Sequence, residues 1–441
     1  KITVTGTRTE RSIKDVPSAV SSFDYDEINS MGPLDWRSLF KYDASISSQD
    51  FSRSDGNRTY ASGDKGNINI RGLEGNRVLT LIDGIPIPRF SYGRSGTFAA
   101  SRLNYVDFNN LGNVEVLKGA ASSLYGSDAM GGVVSIRSLD PDDLLEEGQN
   151  STFEISSPYN SQNSSYQPSL KFAFRDNDLA GIFSVSAGKS NELNRKTKQK
   201  YINDSETELN SYYGKLVKTS GNTKYNLTLE NLNKDTTSTN STYYNEENNL
   251  KSQKDKRNSE RTRISLGIDY KSKEDKFIDN FSAKIYTNVM ENKSDYETIT
   301  NASVGRFGPV ASVDSNTKVT LKQDMIGGNI QFSNNIKTRG TDQKFIYGLE
   351  VSHNDASRIR KAFTDNVLTG DYKANPDSDI LNLGIYVQDE IKINKWEFIP
   401  GIRYALNKID AYADQDWYDS GSNFLTDKKS SVGKPISKEY S

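Results

Sequence analysis

The sequence predicts a transmembrane, antiparallel β-barrel behind an N-terminal α/β domain, and two patterns support this fold class. From about residue 151 onward, apolar and polar residues alternate with a period of two and without a helical stripe, which is typical of half-buried strands. The connections between these strands alternate between short polar turns and long polar stretches. Membrane-spanning barrels have short turns on one side and long loops on the other, whereas a soluble sandwich has no reason to sort its loops.

The composition is compatible with a barrel and excludes several other classes. The 441 residues carry 56 basic and 58 acidic side chains, so the net charge of −2 gives no support for a nucleic-acid partner. No apolar run reaches the length of about 18 residues that a transmembrane helix needs. Cysteine is absent, which excludes disulfides and cysteine-based metal sites. The chain starts at Lys1 without a signal peptide, so we expect a mature or cut N-terminus.

We divide the chain into an N-terminal segment at 1–12, an α/β domain at 13–150 and a partial transmembrane β-barrel at 151–441. The N-terminal segment alternates β-branched and polar residues, which favours an extended, pairable strand. In the α/β domain, residues 33–40 are typical of a short helix with proline in its first turn.

Further along the α/β domain, residues 67–73 and 77–82 alternate as strands, and Asp83-Gly84 closes the second as a turn. Before and after these strands, residues 51–66 and 89–102 are rich in Gly, Ser, Asp and Arg and are predicted to be loops.

The stretch at 113–136 combines two short apolar strands with a dense set of glycines. Glycine allows positive φ and close approach of neighbouring segments, so this stretch is predicted to be a compact strand–turn–strand unit.

The barrel part contains about eleven predicted strands of the roughly 22 expected in a complete barrel. They lie at 152–158, 166–175, 180–190, 209–219, 222–233, 259–271, 276–292, 318–336, 342–356, 378–393 and 395–411. Because all short turns must lie on one side of the membrane, the first strand starts from that side. An odd number of strands then leaves the end of the chain on the other side. A closed barrel has no free edge, and we therefore expect C-terminal strands to be missing here.

Two motifs in the α/β domain resemble the plug of the TonB-dependent outer-membrane receptors. The first is Ile68-Asn69-Ile70-Arg71-Gly72-Leu73 with Asn76-Arg77-Val78 and Leu81-Ile82-Asp83-Gly84, and the second is Val114 to Gly119 with Ser122 to Gly126 and Gly131-Gly132. The family usually has proline where this chain has Ala120. The motif residues are Arg71, Gly72, Arg77, Asp83, Gly84, Glu115, Lys118, Gly119, Tyr125, Gly126, Gly131 and Gly132.

Three further segments are similar to the haemoglobin/haem-type receptors of that family. Residues 2–7 resemble the TonB box, for which we name Ile2, Thr3, Val4 and Thr5. Residues 140–145 resemble the exit from plug to barrel in those receptors. Residues 386–390 and 399–404 resemble their barrel strands, although many siderophore receptors share that pattern.

The resemblance implies active transport that is driven from the inner membrane. The plug fills the lumen and must move, and the TonB box is expected to pair as a strand with periplasmic TonB. In the family, plug arginines pair with barrel glutamates and hold the plug in place. Because Glu350 and Glu390 occupy lumen-facing strand positions, they are the expected partners of charges such as Arg71 and Arg77.

Ligand contacts are expected from the outward-facing plug loops, at Arg58, Tyr60, Arg89, Tyr92 and Arg94. Arginine suits the carboxylates of haem or of siderophores, and tyrosine can ligate haem iron. The single histidine, His353, is in phase with the apolar residues of its strand and should face lipid or the rim. No metal or permanent cofactor is predicted; haem or a ferric chelate is the transported ligand.

Enzyme motifs are incomplete, so no catalytic residues are predicted. The stretch 126–132 lacks the Lys-Ser/Thr of a P-loop, and Ser62-x-x-Lys65 lacks its companion motifs. One histidine and no cysteine leave neither a Ser-His-Asp triad nor a thiol nucleophile.

The sequence therefore predicts TonB-dependent uptake of haem iron across the outer membrane of a Gram-negative-type bacterium, with haemoglobin as one candidate source. The alternative in the same class is uptake of a ferric siderophore or cobalamin. In other classes, a passive porin should lack the plug motifs, and a surface adhesin should lack a TonB box. The expected partners are TonB, haem or a haem protein or a ferric siderophore, and outer-membrane lipid.

Overall fold

The protein is described by a computed structural model that covers residues 2–3, 8–16, 18–48, 68–88, 105–191, 204–239, 250–272, 279–301, 303–305, 308–338, 341–373, 376–412 and 436–440. The described residues form a small α/β plug and a large wall of antiparallel strands. The plug lies against the polar face of this wall.

Nine strands and four short α-helices make up the described part of the N-terminal segment and the plug. They are β1 (Ile2–Thr3), β2 (Arg11–Ser12), β3 (Ala19–Asp24), α1 (Tyr25–Met31), α2 (Trp36–Leu39), β4 (Ile46–Ser48), β5 (Ile68–Ile70), β6 (Val78–Ile82), β7 (Ile85–Pro86), β8 (Leu111–Lys118), α3 (Ser122–Tyr125), β9 (Gly132–Ser138) and α4 (Pro141–Leu144). The central sheet has the order β3-β8-β9-β6-β7, and its β6 and β9 are parallel.

Three of the four plug helices, α1, α2 and α4, start at side-chain caps. Asp24 accepts a hydrogen bond from the backbone of the third residue of α1 at 3.1 Å, and this helix ends at Gly32, whose φ is +53°. The helix predicted at 33–40 exists, but it begins only at Trp36 because Asp35 caps it through Ser38 N at 2.6 Å.

Apolar residues cover both faces of the plug sheet, as burial on two sides requires. On one face, the fully buried Trp36 stacks on Phe40 and packs near Val116 and Val134. On the other face, Leu117 and its neighbours form a second cluster. Burying one such side chain completely contributes about 1.5–3 kcal/mol, so these clusters dominate the stability of the plug.

The strands after the plug are longer, and neighbouring ones in the chain are mostly hydrogen-bonded neighbours in the sheet. They are β10 (Ser151–Ser156), β11 (Tyr159–Asn160), β12 (Ser165–Tyr166), β13 (Ser169–Asp176), β14 (Leu179–Asn191), β15 (Asp204–Ser220), β16 (Thr223–Thr239), β17 (Leu250–Lys271), β18 (Asn280–Thr300), β19 (Ser303–Gly305), β20 (Gly308–Val310), β21 (Val313–Thr338), β22 (Thr341–Thr364), β23 (Val367–Tyr372), β24 (Asp377–Ile393), β25 (Trp396–Phe398), β26 (Gly401–Tyr412) and β27 (Ile436–Tyr440).

We call the antiparallel path β10-β13-β14-β15-β16-β17-β18-β21-β22-β24-β26-β27 the strand wall. Among the described residues its first and last strands are not paired with each other, so the wall is an open part of a barrel. All eleven predicted strands are present, and the eleventh is divided into β25 and β26. Strand β27 is an addition that the sequence did not predict, and the segment limits 12/13 and 150/151 stay predictions.

The strand wall buries its polar face and exposes its apolar face, the reverse of a soluble protein. Arg263 is 0% exposed, whereas its neighbour in the chain, Ile264, is 41% exposed. Ile285 on β18 is 62% exposed. Membrane-spanning barrels show the same inversion, because lipid contacts their outer face and their lumen is polar.

Aromatic residues gather on the apolar face near the short turns. The rings of Phe281 and Phe332 lie 5.1 Å apart, and Phe332 stacks on Tyr347 at 5.2 Å. Such belts mark the boundary between hydrocarbon and water in membrane barrels.

Candidate functional site

The turn between β6 and β7 places a plug carboxylate against the strand wall. Asp83 and Gly84 have φ of +52° and +77°, as the two-residue turns of tight hairpins require. Asp83 accepts hydrogen bonds from Ser138 N at 2.8 Å and from Ser138 Oγ at 2.6 Å, and Arg263 Nη1 lies 2.6 Å from its Oδ2. Lys284 Nζ donates to the Asp83 carbonyl oxygen at 2.5 Å. The turn is thereby docked on β17 and β18.

Charge makes this docking strong. Burial alone would raise the pKa of Asp83, but Arg263, Lys215 and Lys284 hold it well below its usual range. Arg263 also lies 2.9 Å from Glu230 Oε2, so its charge is shared by two carboxylates. Removing one partner of such a buried pair typically costs about 3–5 kcal/mol, because the other charge stays buried.

The segment after β9 is held by the same part of the wall. Tyr213 on β15 donates to Leu139 O at 2.5 Å, and Lys215 Nζ lies 2.6 Å from Asp140 Oδ2. Burial acts to raise the pKa of Asp140, but the charge of Lys215 lowers it below its ordinary value. The segment that resembles the family's exit from the plug therefore anchors the plug.

A second buried carboxylate, Asp107, meets the wall through neutral donors. Gln167 Nε2 and Ser186 Oγ each donate to it at 2.5 Å. Burial raises the pKa of Asp107, although these hydrogen bonds act in the opposite direction. Nearby, Asn110 Nδ2 lies 3.1 Å from Ser211 Oγ on β15.

The N-terminal segment reaches the opposite part of the wall through Arg8. Its Nη1 lies 2.6 Å from Glu350 Oε1 on β22, and its Nη2 donates to Leu124 O in α3 at 2.6 Å. The guanidinium lies over the rings of Tyr125 and Tyr386, 4.4 Å and 4.1 Å from their centroids. Burial acts to lower the pKa of Arg8, but Glu350 and the tyrosines raise it above its ordinary value. Arg8 thus links the N-terminal segment, the plug and the wall.

Arg403 on β26 uses the same two acceptors as Arg8. It lies 2.7 Å from Glu350 Oε2 and donates to Leu124 O at 3.0 Å. Glu350 therefore keeps a cationic partner when Arg8 is absent. The five residues that we call the N-terminal cluster are Arg8, Tyr125, Glu350, Tyr386 and Arg403.

The two predicted glutamates take part in ion pairs, but the predicted arginine partners are wrong. Glu350 belongs to the N-terminal cluster, and Glu390 Oε2 lies 3.6 Å from Arg11 Nη1. Arg71 instead donates to Lys118 O at 3.5 Å, and Arg77 donates to Glu74 O at 3.2 Å. Strand phase identifies which barrel residues face inward, but it does not reveal which plug segment folds against them.

The other charged motif residues stabilise the plug itself. Lys118 Nζ lies 2.7 Å from Asp43 Oδ2. Glu115 is buried on β8, with 7% of its surface exposed. Burial acts to raise the pKa of Asp43, but hydrogen bonds from Lys118, Ser21 and Ser45 lower it below its usual range.

The paired glycines of the second motif lie where no side chain fits. A Cβ on Gly132, whose φ is +149°, would lie 2.2 Å from Leu117 O across the β8–β9 ladder. A Cβ on Gly131 would lie 2.6 Å from Leu73 Cβ, which belongs to the first motif. The glycines therefore join the two motifs by close packing. The remaining motif glycines with positive φ are Gly72, Gly84, Gly119 and Gly126.

The predicted TonB box lies only partly in the described structure. Ile2 and Thr3 form β1 and pair with Ser12 and Arg11 of β2. Val4 and Thr5 lie outside the described residues. So do the predicted ligand residues Arg58, Tyr60, Arg89, Tyr92 and Arg94, and their role stays a prediction.

His353 faces away from the lumen, as its phase on β22 predicts. The buried neighbours Ser352 and Asn354 point inward. His353 Nε2 lies 2.8 Å from Asp355 Oδ1, and the ligand atoms of these two residues and Asp379 lie within 4.8 Å of one another. All three are at least partly exposed on the outer face of the wall.

A cavity of about 430 Å³ lies between the plug and the strands β18, β21, β22, β24 and β26. Leu79, Leu81 and Gly84 line it on the plug side, and wall residues such as Ser352 and Asn382 line it on the other. The N-terminal cluster forms one end of this cavity.

No sequence motif marks the wall residues that dock the plug, but the sequence contains a weaker signal for some of them. Glu230, Arg263 and Lys215 are charged residues at lumen-facing positions of strands whose other face is apolar. Arg8 has no such signal, because its partners come from distant parts of the chain. Within the described ranges, no helix is both long and apolar enough to cross a membrane.

Comparison with known proteins agrees with this architecture. Residues 12–133 match the TonB-dependent Receptor Plug Domain, and residues 197–432, more than half of the chain, match the TonB dependent receptor-like, beta-barrel family. The hemin receptor of Yersinia pestis is 34% identical over 117 residues, which cover 26% of this chain and 16% of that protein. Lactoferrin-binding protein A of Neisseria meningitidis is 32% identical over 127 residues, which cover 27% of this chain and 14% of that protein.

Solved structures show the same fold at low sequence identity. The hemophore receptor HasR of Serratia marcescens, in complex with its hemophore HasA and heme, has a TM-score of 0.64 and 15% identity, covering 97% of this chain and 59% of that one. The ferric citrate transporter FecA has a TM-score of 0.61 and 16% identity, covering 90% and 57%. The chain thus spans less than two thirds of the length of each of these four receptors. With a plug, a strand wall and both family models in place, the chain belongs to the TonB-dependent receptors.

Proposed function

We propose that this chain carries the plug and part of the barrel of an outer-membrane receptor that takes up haem iron by TonB-driven transport. The observation that supports transport most directly is the position of Arg8, which follows residues 2–7 in the chain and contacts both α3 and β22. Force applied to this segment acts on the plug through Arg8. We infer no catalytic role, since the family consists of receptors.

Haem as the ligand rests on relatives rather than on a described binding site. The hemin receptor of Yersinia pestis and the heme/hemopexin utilization protein C of Haemophilus influenzae are 34% and 36% identical over their matched segments. Solved neighbours include receptors for ferric citrate and pyoverdine, which supports ferric-siderophore uptake as the second candidate.

Deleting residues 2–7 tests the transport mechanism. In an iron-starved Gram-negative host that lacks its own haem receptors, we expect the full-length receptor to support growth on haem and the deletion variant to lose it. A host without TonB should show the same loss with the parent receptor. Haem uptake by the deletion variant at the parental rate would contradict TonB-driven transport.

Binding and growth measurements distinguish a transporter from a surface adhesin. They also distinguish haem from a ferric siderophore as the ligand. The deletion variant should bind haem on whole cells as well as the parent does, because residues 2–7 are expected on the periplasmic side. Growth on ferric siderophores but not on haem would contradict haem uptake and support ferric-siderophore uptake. Undiminished haem-dependent growth in the host without TonB would point to a passive pore.

A further inference from the structure

The plug is fastened unevenly to the strand wall. The part formed by β13 to β18, which we call the anchor wall, holds the plug with buried ion pairs and hydrogen bonds. These contacts include Asp83 with Arg263 and Lys284, Asp140 with Lys215, Leu139 with Tyr213, Asn110 with Ser211, and Asp107 with Ser186. They hold the β6–β7 turn, the segment before β8 and the segment after β9.

The part formed by β22, β24 and β26 meets the plug differently. Here the 430 Å³ cavity separates plug residues such as Leu81 and Ser135 from wall residues such as Ser352, Asn382 and Asn407. Its volume lies in the range of about 300–1,000 Å³ that is usual for ligand pockets. Hydroxyl and amide side chains on its wall can exchange hydrogen bonds with a polar solute that passes.

The N-terminal cluster closes this cavity toward the short-turn end of the strands. Arg403 is the third residue of β26 and lies at that end, whereas Ile409 lies farther along the same cavity. Arg8 fills the space between Tyr125 and Tyr386. Since Arg403 also pairs with Glu350, withdrawing Arg8 does not leave that carboxylate alone in a buried place.

We propose that the ligand passes along the wall of β22, β24 and β26, through this cavity, when a pull on the N-terminal segment withdraws Arg8. The anchor wall meanwhile keeps the rest of the plug seated. This proposal rests on the proposed transport function, and it adds where the passage opens and which side chain closes it.

Cross-linking tests the location of the passage, and these 441 residues contain no cysteine that would compete with introduced thiols. In the full-length receptor, Ser135→Cys with Ser352→Cys places one thiol on each side of the cavity. Asn110→Cys with Ser211→Cys is the matched pair at the anchor wall, where the parent side chains lie 3.1 Å apart. Both pairs are joined by a flexible, reducible thiol-to-thiol reagent, and TonB-dependent uptake is measured before and after joining.

We expect the bridge across the cavity to reduce uptake to the level of a host without TonB, and the bridge at the anchor wall to leave uptake within about twofold of the parent. Reduction should restore uptake in the first case. Normal uptake with the cavity bridged, or equal loss from both bridges, would overturn the proposal. Absence of TonB-dependent uptake in the parent would instead refute the proposed function, so the two failures are distinguishable. Double-cysteine variants without the bridge must transport, which controls for misfolding.

A second measurement isolates Arg8. In Arg8→Gln, the thiol of Ser352→Cys should react faster with a maleimide supplied from the periplasm, by roughly tenfold for the loss of one charged hydrogen bond. Lys271→Gln is the matched control, because its pair with Glu10 is 3.6 Å long and both side chains are largely exposed. Equal reactivity in Arg8→Gln and in the control would show that Arg8 does not close the cavity.

Discussion

Two buried aspartates of the plug meet the strand wall in opposite ways. Asp83 is surrounded by cations that favour its charged form, and Asp107 accepts hydrogen bonds from neutral groups. The surroundings of Asp83 therefore stabilise its charged form, and this residue anchors the plug. Burial disfavours the charged form of Asp107.

The pair Asp83→Asn and Asp107→Asn compares these environments with one chemical change. Asp83→Asn should weaken plug docking by about 3–5 kcal/mol, because Arg263 and Lys284 lose a buried counter-charge. Asp107→Asn should change docking by at most about 1 kcal/mol, since it removes a charge that burial disfavours. Hydrogen exchange of plug amides in bilayers measures the difference. Equal protection in both variants would show that the Arg263 pair is not an anchor.

The pH dependence of plug docking should come from Asp107 and not from Asp83. The pKa of Asp107 is raised in the folded state, so its contribution to docking is fully present below its unfolded pKa and is lost as pH rises through its folded pKa. The pKa of Asp83 is lowered, so its contribution is present above the unfolded pKa and is lost only at strongly acidic pH. After correction for the intrinsic pH dependence of amide exchange, plug amides should therefore exchange faster at about pH 8 than at about pH 4. A similar trend in Asp107→Asn would assign the effect to another group.

At the level of single residues, sequence reasoning succeeded where local geometry decides and failed where distant segments meet. The turn at Asp83 and Gly84 could be predicted because adjacent residues determine it. Glu350 and Glu390 could be placed by strand phase. Their partners Arg8 and Arg11 could not, because no local pattern brings the N-terminal segment to β22 and β24.

Among the elements, the unit of β8, α3 and β9 shows why its glycines are needed. Strand β9 lies between β8 and β6 in the plug sheet. A Cβ on its first residue, Gly132, would lie 2.2 Å from the backbone oxygen of Leu117 on β8. The sequence predicted two strands and a turn here, and the structure adds the helix α3, whose carbonyl at Leu124 receives Arg8.

Comparing Gly132→Ala with Gly119→Ala distinguishes a steric clash from backbone strain. Both glycines have positive φ, +149° and +135°, but only Gly132 would bring a Cβ against a neighbour, whereas Gly119 has nothing within 4 Å. We expect Gly119→Ala to cost about 1–3 kcal/mol of plug stability from strain alone, and Gly132→Ala to cost clearly more. Chemical unfolding followed by exchange of the plug amides measures both. Equal costs would mean that the β8–β9 contact relaxes freely.

Eleven of the twelve strands of the wall could be predicted from the sequence, but their lengths could not. Strand β17 begins at Leu250 and β22 ends at Thr364, several residues beyond the predicted limits at 259 and 356. These extensions lie on the side of the long connections. Residues 251–258 of β17 are polar on both faces, so apolar–polar alternation gives no signal there and backbone pairing alone defines the strand. The extension of β22 has only Ile359 and Phe363 as large apolar residues on one face, which is a short and weak pattern.

Across the whole molecule, the inverted distribution of polarity assigns the apolar face to lipid. Ile285→Lys should destabilise the barrel in a bilayer by about 2–4 kcal/mol, because a lysine near the membrane midplane is costly. Thr320→Lys on β21 lies on the same outward face, opposite Lys293 at 55% exposure, and should cost little. Urea titrations in vesicles compare the two. Equal destabilisation would show that this face does not contact hydrocarbon at Ile285.

The small hairpin of β1 and β2 has a consequence for recognition between the two membranes. Because Ile2 and Thr3 already pair with Ser12 and Arg11, a strand of TonB, the partner that we propose, can take over these backbone hydrogen bonds only by displacing β2. The apparent affinity for intact receptor is then the affinity for the free segment multiplied by the fraction of receptors with this hairpin open. A ligand that opens the hairpin from the far side would recruit its partner without any change in the partner itself.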